Sequence, residues 1–139
     1  MKVLPIKREH LYVVWDTVVP QIQSALEQGM MTDSPEFTTD DVMQFLLKGD
    51  WELMVVIDDH AKIHGSGVIS YIDYPLHRIA HVVTMAGKGV CRPDLLVQFK
   101  DILKSRGATK IQGFDRPSMV RLLKRFGLVP RYTLMETLI

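Results

Sequence analysis

Short runs of apolar and β-branched residues recur along this chain, separated by charged residues, glycine and proline, and each run is typical of a β-strand. Between them, other segments carry apolar residues at three- and four-residue spacing, which predicts amphipathic helices. The predicted strands cover residues 2–6, 51–57, 63–74, 78–85, 109–114 and 129–139. The predicted helices cover residues 11–26, 39–47, 93–106 and 117–126, and a loop over residues 29–37 joins the first two helices.

Proline, glycine and capping residues refine these boundaries. Pro20 lies inside the first helical pattern, where it should kink the helix or begin a second one. Thr38 offers an N-cap for the second helix, and Gly49 ends that helix. Gly65 and Gly67 interrupt the third strand, which predicts a β-bulge or a close approach of two backbones.

The order of these elements predicts the sheet. Three consecutive strands with short connections favour an antiparallel meander. The strand before Gly87 and the strand after Gly107 are joined by a helix, so we expect them to be parallel neighbours. The chain therefore reads as a single α/β domain, residues 1–139, with a mixed, mostly antiparallel sheet of about six strands and helices on both faces.

Composition narrows the class of protein. Of the 139 residues, 47% are hydrophobic and 24% are charged, which favours a globular domain over disorder. The net charge of +1 gives no overall field that would attract nucleic acid or an anionic membrane. A single cysteine, Cys91, excludes an internal disulfide framework and a zinc site built from thiolates, and no metal is expected. The N-terminus lacks the apolar core of a signal peptide, so the sequence predicts a soluble protein of a reducing compartment.

The segment with the clearest chemistry covers residues 81–96. An apolar strand meets the turn Gly87–Lys88–Gly89 and then a predicted helix start at Pro93. This geometry presents backbone N–H groups to an anion, and glycine lets the backbone approach a ligand closely. Taken alone, the same turn is also typical of a tight strand-to-helix connection that binds nothing.

The order of elements resembles the fold of Gcn5-related N-acetyltransferases over nearly the whole chain. Residues 55–69 resemble the second and third strands of that family, and residues 86–91 fall where the family has its pyrophosphate loop. Residues 116–128 fall where the family has a helix that ends in Gly-Phe. The resemblance implies acetyl-CoA or CoA as the cofactor. The cofactor-binding residues it implies are Val83, Thr84, Gly87, Lys88, Gly89, Val90, Cys91 and Arg92.

Three segments are similar, more narrowly, to small acetyltransferase-like proteins encoded by tailed bacteriophages. They are residues 13–29, 72–89 and 115–138. This likeness implies a location in the host cytoplasm or in the phage virion. The implied partners are phage structural proteins or an unidentified amine acceptor, with no nucleic acid and no membrane.

Several positions depart from the family's pattern. Ala86 stands where the family has Arg or Gln, and Cys91 stands where it has Gly or Ala. Leu123 occupies the place of the tyrosine that often protonates the leaving thiolate. Asp94, in the first turn of the following helix, opposes a bound anion. The resemblance therefore implies an acetyl-CoA-dependent N-acetyltransferase-like protein with degenerate motifs. The alternative is a catalytically inactive structural or assembly protein of the virion, at the head–tail region.

Acetyl transfer to an amine needs a base, a group that polarises the thioester carbonyl, and an acid for the thiolate. His81 is the candidate catalytic base, with His77 nearby, because an imidazole titrates near neutral pH. Asp73 and Asp115 are secondary candidates, and Tyr132 is a candidate displaced acid. The backbone amides around Val83 and Thr84 could polarise the carbonyl if their strand separates from its parallel neighbour. A histidine in a strand is also commonly a packing residue, and Asp115 also fits a turn or helix cap.

Overall fold

The computed structural model describes residues 1–29, 36–115 and 117–139. The strands are β1 (Lys2–Ile6), β2 (Trp51–Ile57), β3 (Ile63–Asp73), β4 (Arg78–Gly87) and β5 (Lys110–Gly113). The helices are α1 (Leu11–Gly29), α2 (Thr39–Lys48), α3 (Pro93–Ser105) and α4 (Pro117–Lys124), and a single 3-10 turn, Arg8–His10, precedes α1. Most of the loop predicted at residues 29–37 lies outside the described residues.

These strands form one sheet in the order β1-β2-β3-β4-β5. The first four strands pair antiparallel, whereas β4 and β5 pair parallel and are joined through α3. The predicted meander and the predicted parallel pair are both confirmed. A parallel pair needs a crossover connection, and the amphipathic stripe of α3 makes that crossover a helix.

Helices cover both faces of the sheet, as the sequence predicts. On one face, α1 and α2 bury apolar side chains against β2 and β3, and on the other face α3 does the same. Burying a large aliphatic side chain contributes about 1.5–3 kcal/mol, so these two layers hold the sheet in place. The first cluster contains Leu11, Val18, Ile22, Leu26, Val42, Leu46, Leu53, Val55 and Val68. The second contains Met54, Ile69, Ala80, Phe99 and Leu103.

The local signals in the sequence act largely as expected. The Thr38 hydroxyl accepts the N–H of Asp41, and the Asp41 carboxylate accepts the N–H of Thr38, which forms a capping box at the start of α2. Gly49 ends α2 in the left-handed region, with φ of +81°. Pro20 does not begin a new helix, because α1 continues through it to Gly29. Among the described residues, no helix is long and apolar enough to cross a membrane.

The predicted strand at residues 129–139 is wrong, and the sheet within the described residues has five strands rather than six. A strand is stabilised by ladder hydrogen bonds and by a buried face. The alternation of apolar residues suggests such a face, but these side chains are exposed. Leu134 is 67% exposed and Met135 is 86% exposed. Pro130 also lacks the N–H that a ladder needs.

Candidate functional site

The pairing of β4 with β5 ends halfway along β4. The two strands pair from Ile79–Lys110 to Val82–Gly113, where β5 ends. Strand β4 continues to Gly87, so the outer edge of residues 83–87 has no strand partner within the described part of the chain. Free N–H and C=O groups on such an edge can bind an extended ligand. We call this region the β4–β5 cleft; Val83 and Thr84 lie on its free edge.

A β-bulge lies where the cleft begins. The pairing of β3 with β4 steps from Val68–Thr84 to Ile69–Val82, so Val83 is the extra residue. Val83 packs against the first apolar cluster, the one that contains Leu11 and Val68. Thr84 is only 4% exposed, and its hydroxyl oxygen has no hydrogen-bond partner among the described residues. A buried hydroxyl usually finds a partner, so Thr84 is an unsatisfied polar group next to the β-bulge.

Gly87 is required for the close packing of β4 against β3. Its φ of +145° is a conformation that residues with a side chain rarely adopt. A Cβ atom on Gly87 would lie 2.6 Å from the Cα of Gly65 and 2.6 Å from the carbonyl oxygen of His64. The next residue, Lys88, donates its N–H to that same oxygen at 3.3 Å. This close contact also confirms the approach of two backbones predicted at Gly65.

The segment after Gly87 is open to a ligand. Gly89 has a φ of +68°, and a Cβ atom there would have nothing within 4 Å. The N–H groups of Gly89, Val90 and Cys91 have no acceptor within the described residues, whereas Arg92 donates its N–H to the carbonyl of Val90 at 3.0 Å. We call residues 87–92 the glycine loop. It offers three consecutive free amides to an anion.

The two cationic side chains of this loop differ in their surroundings. The Lys88 ammonium forms no ion pair with any described residue. Arg92 instead donates from Nε and from Nη2 to the two carboxylate oxygens of Asp94, both at 2.9 Å. This guanidinium lowers the pKa of Asp94 below its usual value. Lys88 is therefore available to bind an anion, whereas Arg92 already binds the carboxylate of Asp94.

His81 and Asp115 lie at the base of the cleft. His81 lies opposite Gln112 of β5, one pair before the strands separate. Its ring makes an edge-to-face contact with Phe114, with centroids 5.0 Å apart. Burial lowers the pKa of His81, and the charge of Asp115 opposes that shift. Burial raises the pKa of Asp115, and the charge of His81 opposes it in turn. The sequence named both residues separately, and in the structure they interact electrostatically.

The remaining candidates lie elsewhere. The His77 Nδ1 is 2.9 Å from the Thr109 hydroxyl, at the start of β4 and far along the strand from the cleft. Asp73 is bound to Arg78 at the same end. Tyr132 is 79% exposed in the segment without regular structure, where its ring contacts only the guanidinium of Arg131 among the described side chains. These positions do not support a role in the cleft.

A histidine–aspartate pair that the sequence analysis missed lies at the β2–β3 turn. The His64 Nε2 is 2.7 Å from the carboxylate of Asp58. This hydrogen bond and the N–H of Lys62 lower the pKa of Asp58 to about 2. The carboxylate also accepts the N–H of His60, so it is fully used in closing the turn. A register shift lies in β2 next to this turn, and the spacing of the two residues in the sequence gives no sign of their contact.

One cavity lies remote from the cleft. It has a volume of about 200 Å³ and is lined by residues at the end of β1 and the start of β2, among them Arg8, Gly49 and Trp51. Arg8 donates from Nη1 to the carbonyl of Leu47 at 3.4 Å. Among the described residues, no cluster of three or more His, Cys, Asp or Glu could hold a metal ion. The cleft and the glycine loop remain the candidate site.

The chain has the fold of the Gcn5-related N-acetyltransferases, which solved structures share over nearly its whole length. A probable acetyltransferase superposes with a TM-score of 0.68 over 99% of both chains, at 16% identity. A predicted acetyltransferase from Clostridium acetobutylicum, solved with acetyl-CoA, reaches 0.65 at 14% identity, covering 97% of this chain and 94% of that one. An aminoglycoside acetyltransferase from an uncultured soil metagenomic sample, in complex with sisomicin, reaches 0.69 at 9% identity, covering 99% and 95%. No protein-family model and no curated protein sequence matches the chain.

Proposed function

We propose that this protein is an acetyl-CoA-dependent N-acetyltransferase of the kind found in tailed bacteriophages, acting with reduced motifs. The observation that carries the proposal is the β4–β5 cleft, which has a half-buried histidine, His81, and the carboxyl group of Asp115 at its base. A structural neighbour solved with acetyl-CoA supports the choice of cofactor. The acceptor is an amine, because His81 and Asp115 together suit the removal of a proton.

The residues of the glycine loop fit the diphosphate of CoA. Three free amides and the unpaired Lys88 ammonium supply hydrogen-bond donors and positive charge. Gly89 leaves open space at the point where a side chain would otherwise stand. When bound, acetyl-CoA supplies an activated thioester, and the free edge of residues 83–87 is where the extended arm of the cofactor would lie.

His81 acts as the base in this mechanism. Because burial lowers its pKa, the imidazole is neutral near pH 7 and is ready to accept a proton from the acceptor's ammonium group. The carboxylate of Asp115 then stabilises the imidazolium. The free N–H groups along the outer edge of β4 stabilise the oxygen that gains negative charge.

The proton for the leaving thiolate has no donor in the expected place. Leu123, where the family has a tyrosine, is apolar and cannot donate. A thiolate leaving group would have to be protonated by solvent, because Leu123 offers no donor, so we expect slow turnover. A positioned general acid typically contributes about 10²- to 10⁴-fold, which sets the size of the expected deficit.

Titration of the pure protein with acetyl-CoA tests the proposal. At a hundred times its dissociation constant, the cofactor should stabilise the folded state by about 2.7 kcal/mol, which a thermal unfolding scan detects. Gly89→Trp should abolish this shift, since a bulky side chain would fill the space beside the free amides. Gly127→Trp is the matched control, because Gly127 also has a positive φ, of +87°, and open surroundings, and it lies after α4. A wild-type protein that shows no shift at millimolar acetyl-CoA overturns the proposal.

A catalytically inactive structural or assembly protein of the phage virion is the second candidate function. The exposed apolar side chains of residues 129–139 favour it, because such a segment is a common docking surface for another protein. Mass spectrometry of purified phage particles tests this role, and absence of the protein from the particle contradicts it.

A further inference from the structure

Arg92 and Asp94 form a two-pronged ion pair at the start of α3. Both hydrogen bonds measure 2.9 Å, and the two side chains are about half exposed, at 46% and 48%. Pro93 between them is the first residue of α3, so the pair spans the point where the glycine loop becomes helix. The family resemblance implies that Arg92 is a diphosphate ligand, and Asp94 is a repulsive charge beside it, but nothing in the sequence indicates that Arg92 binds Asp94.

This pair uses the donors that a diphosphate would need. A guanidinium binds a carboxylate through two parallel N–H groups, and it binds phosphate oxygens with the same geometry. The carboxylate of Asp94 therefore occupies the edge of Arg92 formed by Nε and Nη2, and leaves the N–H groups of Nη1 available. A phosphate at this loop can contact Lys88 directly, but it gains the two parallel N–H groups of the Nε–Nη2 edge only when Asp94 releases them.

We propose that Asp94 determines the cofactor affinity of the loop by competing with the diphosphate for Arg92. This inference rests on the proposed function, since it assumes that CoA binds at the glycine loop. Its consequence is selective, because only a ligand that carries a diphosphate competes with Asp94. A ligand with the pantetheine arm alone gains nothing when Asp94 is neutralised.

Calorimetric titration of wild type and Asp94→Asn with CoA and with pantetheine tests the proposal. Asparagine keeps the shape of the side chain and removes its charge, so Asp94→Asn should bind CoA roughly tenfold more tightly, the size of one charge-assisted hydrogen bond. Pantetheine affinity should not change. Asp101→Asn is the matched control, because it removes the same charge from an exposed position further along α3 and should leave CoA affinity unchanged.

The Arg92→Ala background separates competition from simple repulsion. If Asp94 acts through Arg92, Asp94→Asn should improve CoA binding much less when Arg92 is absent. An equal improvement in both backgrounds, or none in either, overturns the proposal, as does an equal gain for pantetheine. If neither the wild type nor Asp94→Asn binds CoA, the proposed function fails and this inference fails with it. CoA binding without the gain overturns this inference alone.

Discussion

The two ends of β4 are built in opposite ways. At the β3–β4 hairpin, charged side chains satisfy one another. Tyr71 donates its hydroxyl to Glu52 at 2.7 Å, and Arg106 donates to the other oxygen of Glu52 at 2.8 Å. Arg78 binds both oxygens of Asp73, at 2.8 and 2.9 Å. Burial, together with the hydrogen bond to Glu52, raises the pKa of Tyr71 well above its usual value, so the phenol stays a donor. We call these five side chains the hairpin-end network.

At the cleft end of the same strand, donors are left without acceptors. The amides of residues 89–91 and the hydroxyl of Thr84 have no partner in the described part of the chain. Polar groups that are paired contribute to stability, whereas groups left unpaired cost stability unless a ligand completes them. The contrast therefore indicates that the hairpin end contributes to stability, and it agrees with the proposed binding of a ligand at the cleft end.

The largest expected effect separates packing from binding within the glycine loop. Gly87→Ala should cost about 3 kcal/mol of unfolding free energy, because its Cβ meets backbone at 2.6 Å and its φ is positive. Gly89→Ala should cost only about 1 kcal/mol, since it carries backbone strain without a clash. Urea unfolding of both variants measures the difference. Equal losses would show that the whole loop is a packing element and would weaken its assignment to ligand binding.

A smaller effect is expected at the hairpin end. Glu52→Gln removes the carboxylate that holds both Tyr71 and Arg106, and Glu52 is only 19% exposed, so the loss should be about 1.5 kcal/mol. Glu136→Gln, at an exposed position with no ion pair among the described residues, should stay within about 0.5 kcal/mol. CoA affinity should be unchanged in Glu52→Gln. A folded Glu52→Gln protein with impaired CoA binding would contradict the separation of the two ends.

Most of the fold was predictable because it follows from the spacing of apolar residues and from the glycine, proline and capping residues that end helices and strands. The strands at residues 2–6 and 51–57 and the crossover through α3 are confirmed, since each has a local pattern and a turn signal of its own. The strand at residues 129–139 fails for the opposite reason. Its pattern is strand-like, but strand formation depends on a partner edge and a buried face, which one segment of sequence does not reveal.

The candidate site was predictable only in outline. The glycine loop is visible in the sequence. That Gly87 packs tightly while Gly89 has open surroundings depends on how near the backbone of β3 lies. The pairing of Arg92 with Asp94 depends on the rotamers at the start of a helix. The electrostatic interaction of His81 with Asp115 depends on the register of β4 with β5, which is set by the tertiary structure. Spacing along the chain encodes none of these three contacts.

The smallest and most local prediction concerns His81 and Asp115 at the base of the cleft. The negative charge of Asp115 favours the imidazolium, so it raises the pKa of His81 against the larger lowering by burial. Asp115→Asn should therefore lower the pKa of His81 further below its ordinary value of 6.5. NMR titration of the imidazole ring measures this directly. Asp73→Asn, which removes a carboxylate from the hairpin end, should leave the pKa of His81 unchanged.

Stability provides an independent check on the same pair. The unfolded chain binds a proton on His81 at higher pH than the folded protein does, so the contribution of His81 to the unfolding free energy falls as the pH drops below 6.5. Asp115→Asn should deepen that fall, because it makes protonation of the folded state still less favourable. A pKa of His81 that stays constant or rises in Asp115→Asn would show that the two side chains do not interact. The cleft would then lack the stabilised imidazolium on which the proposed proton transfer depends.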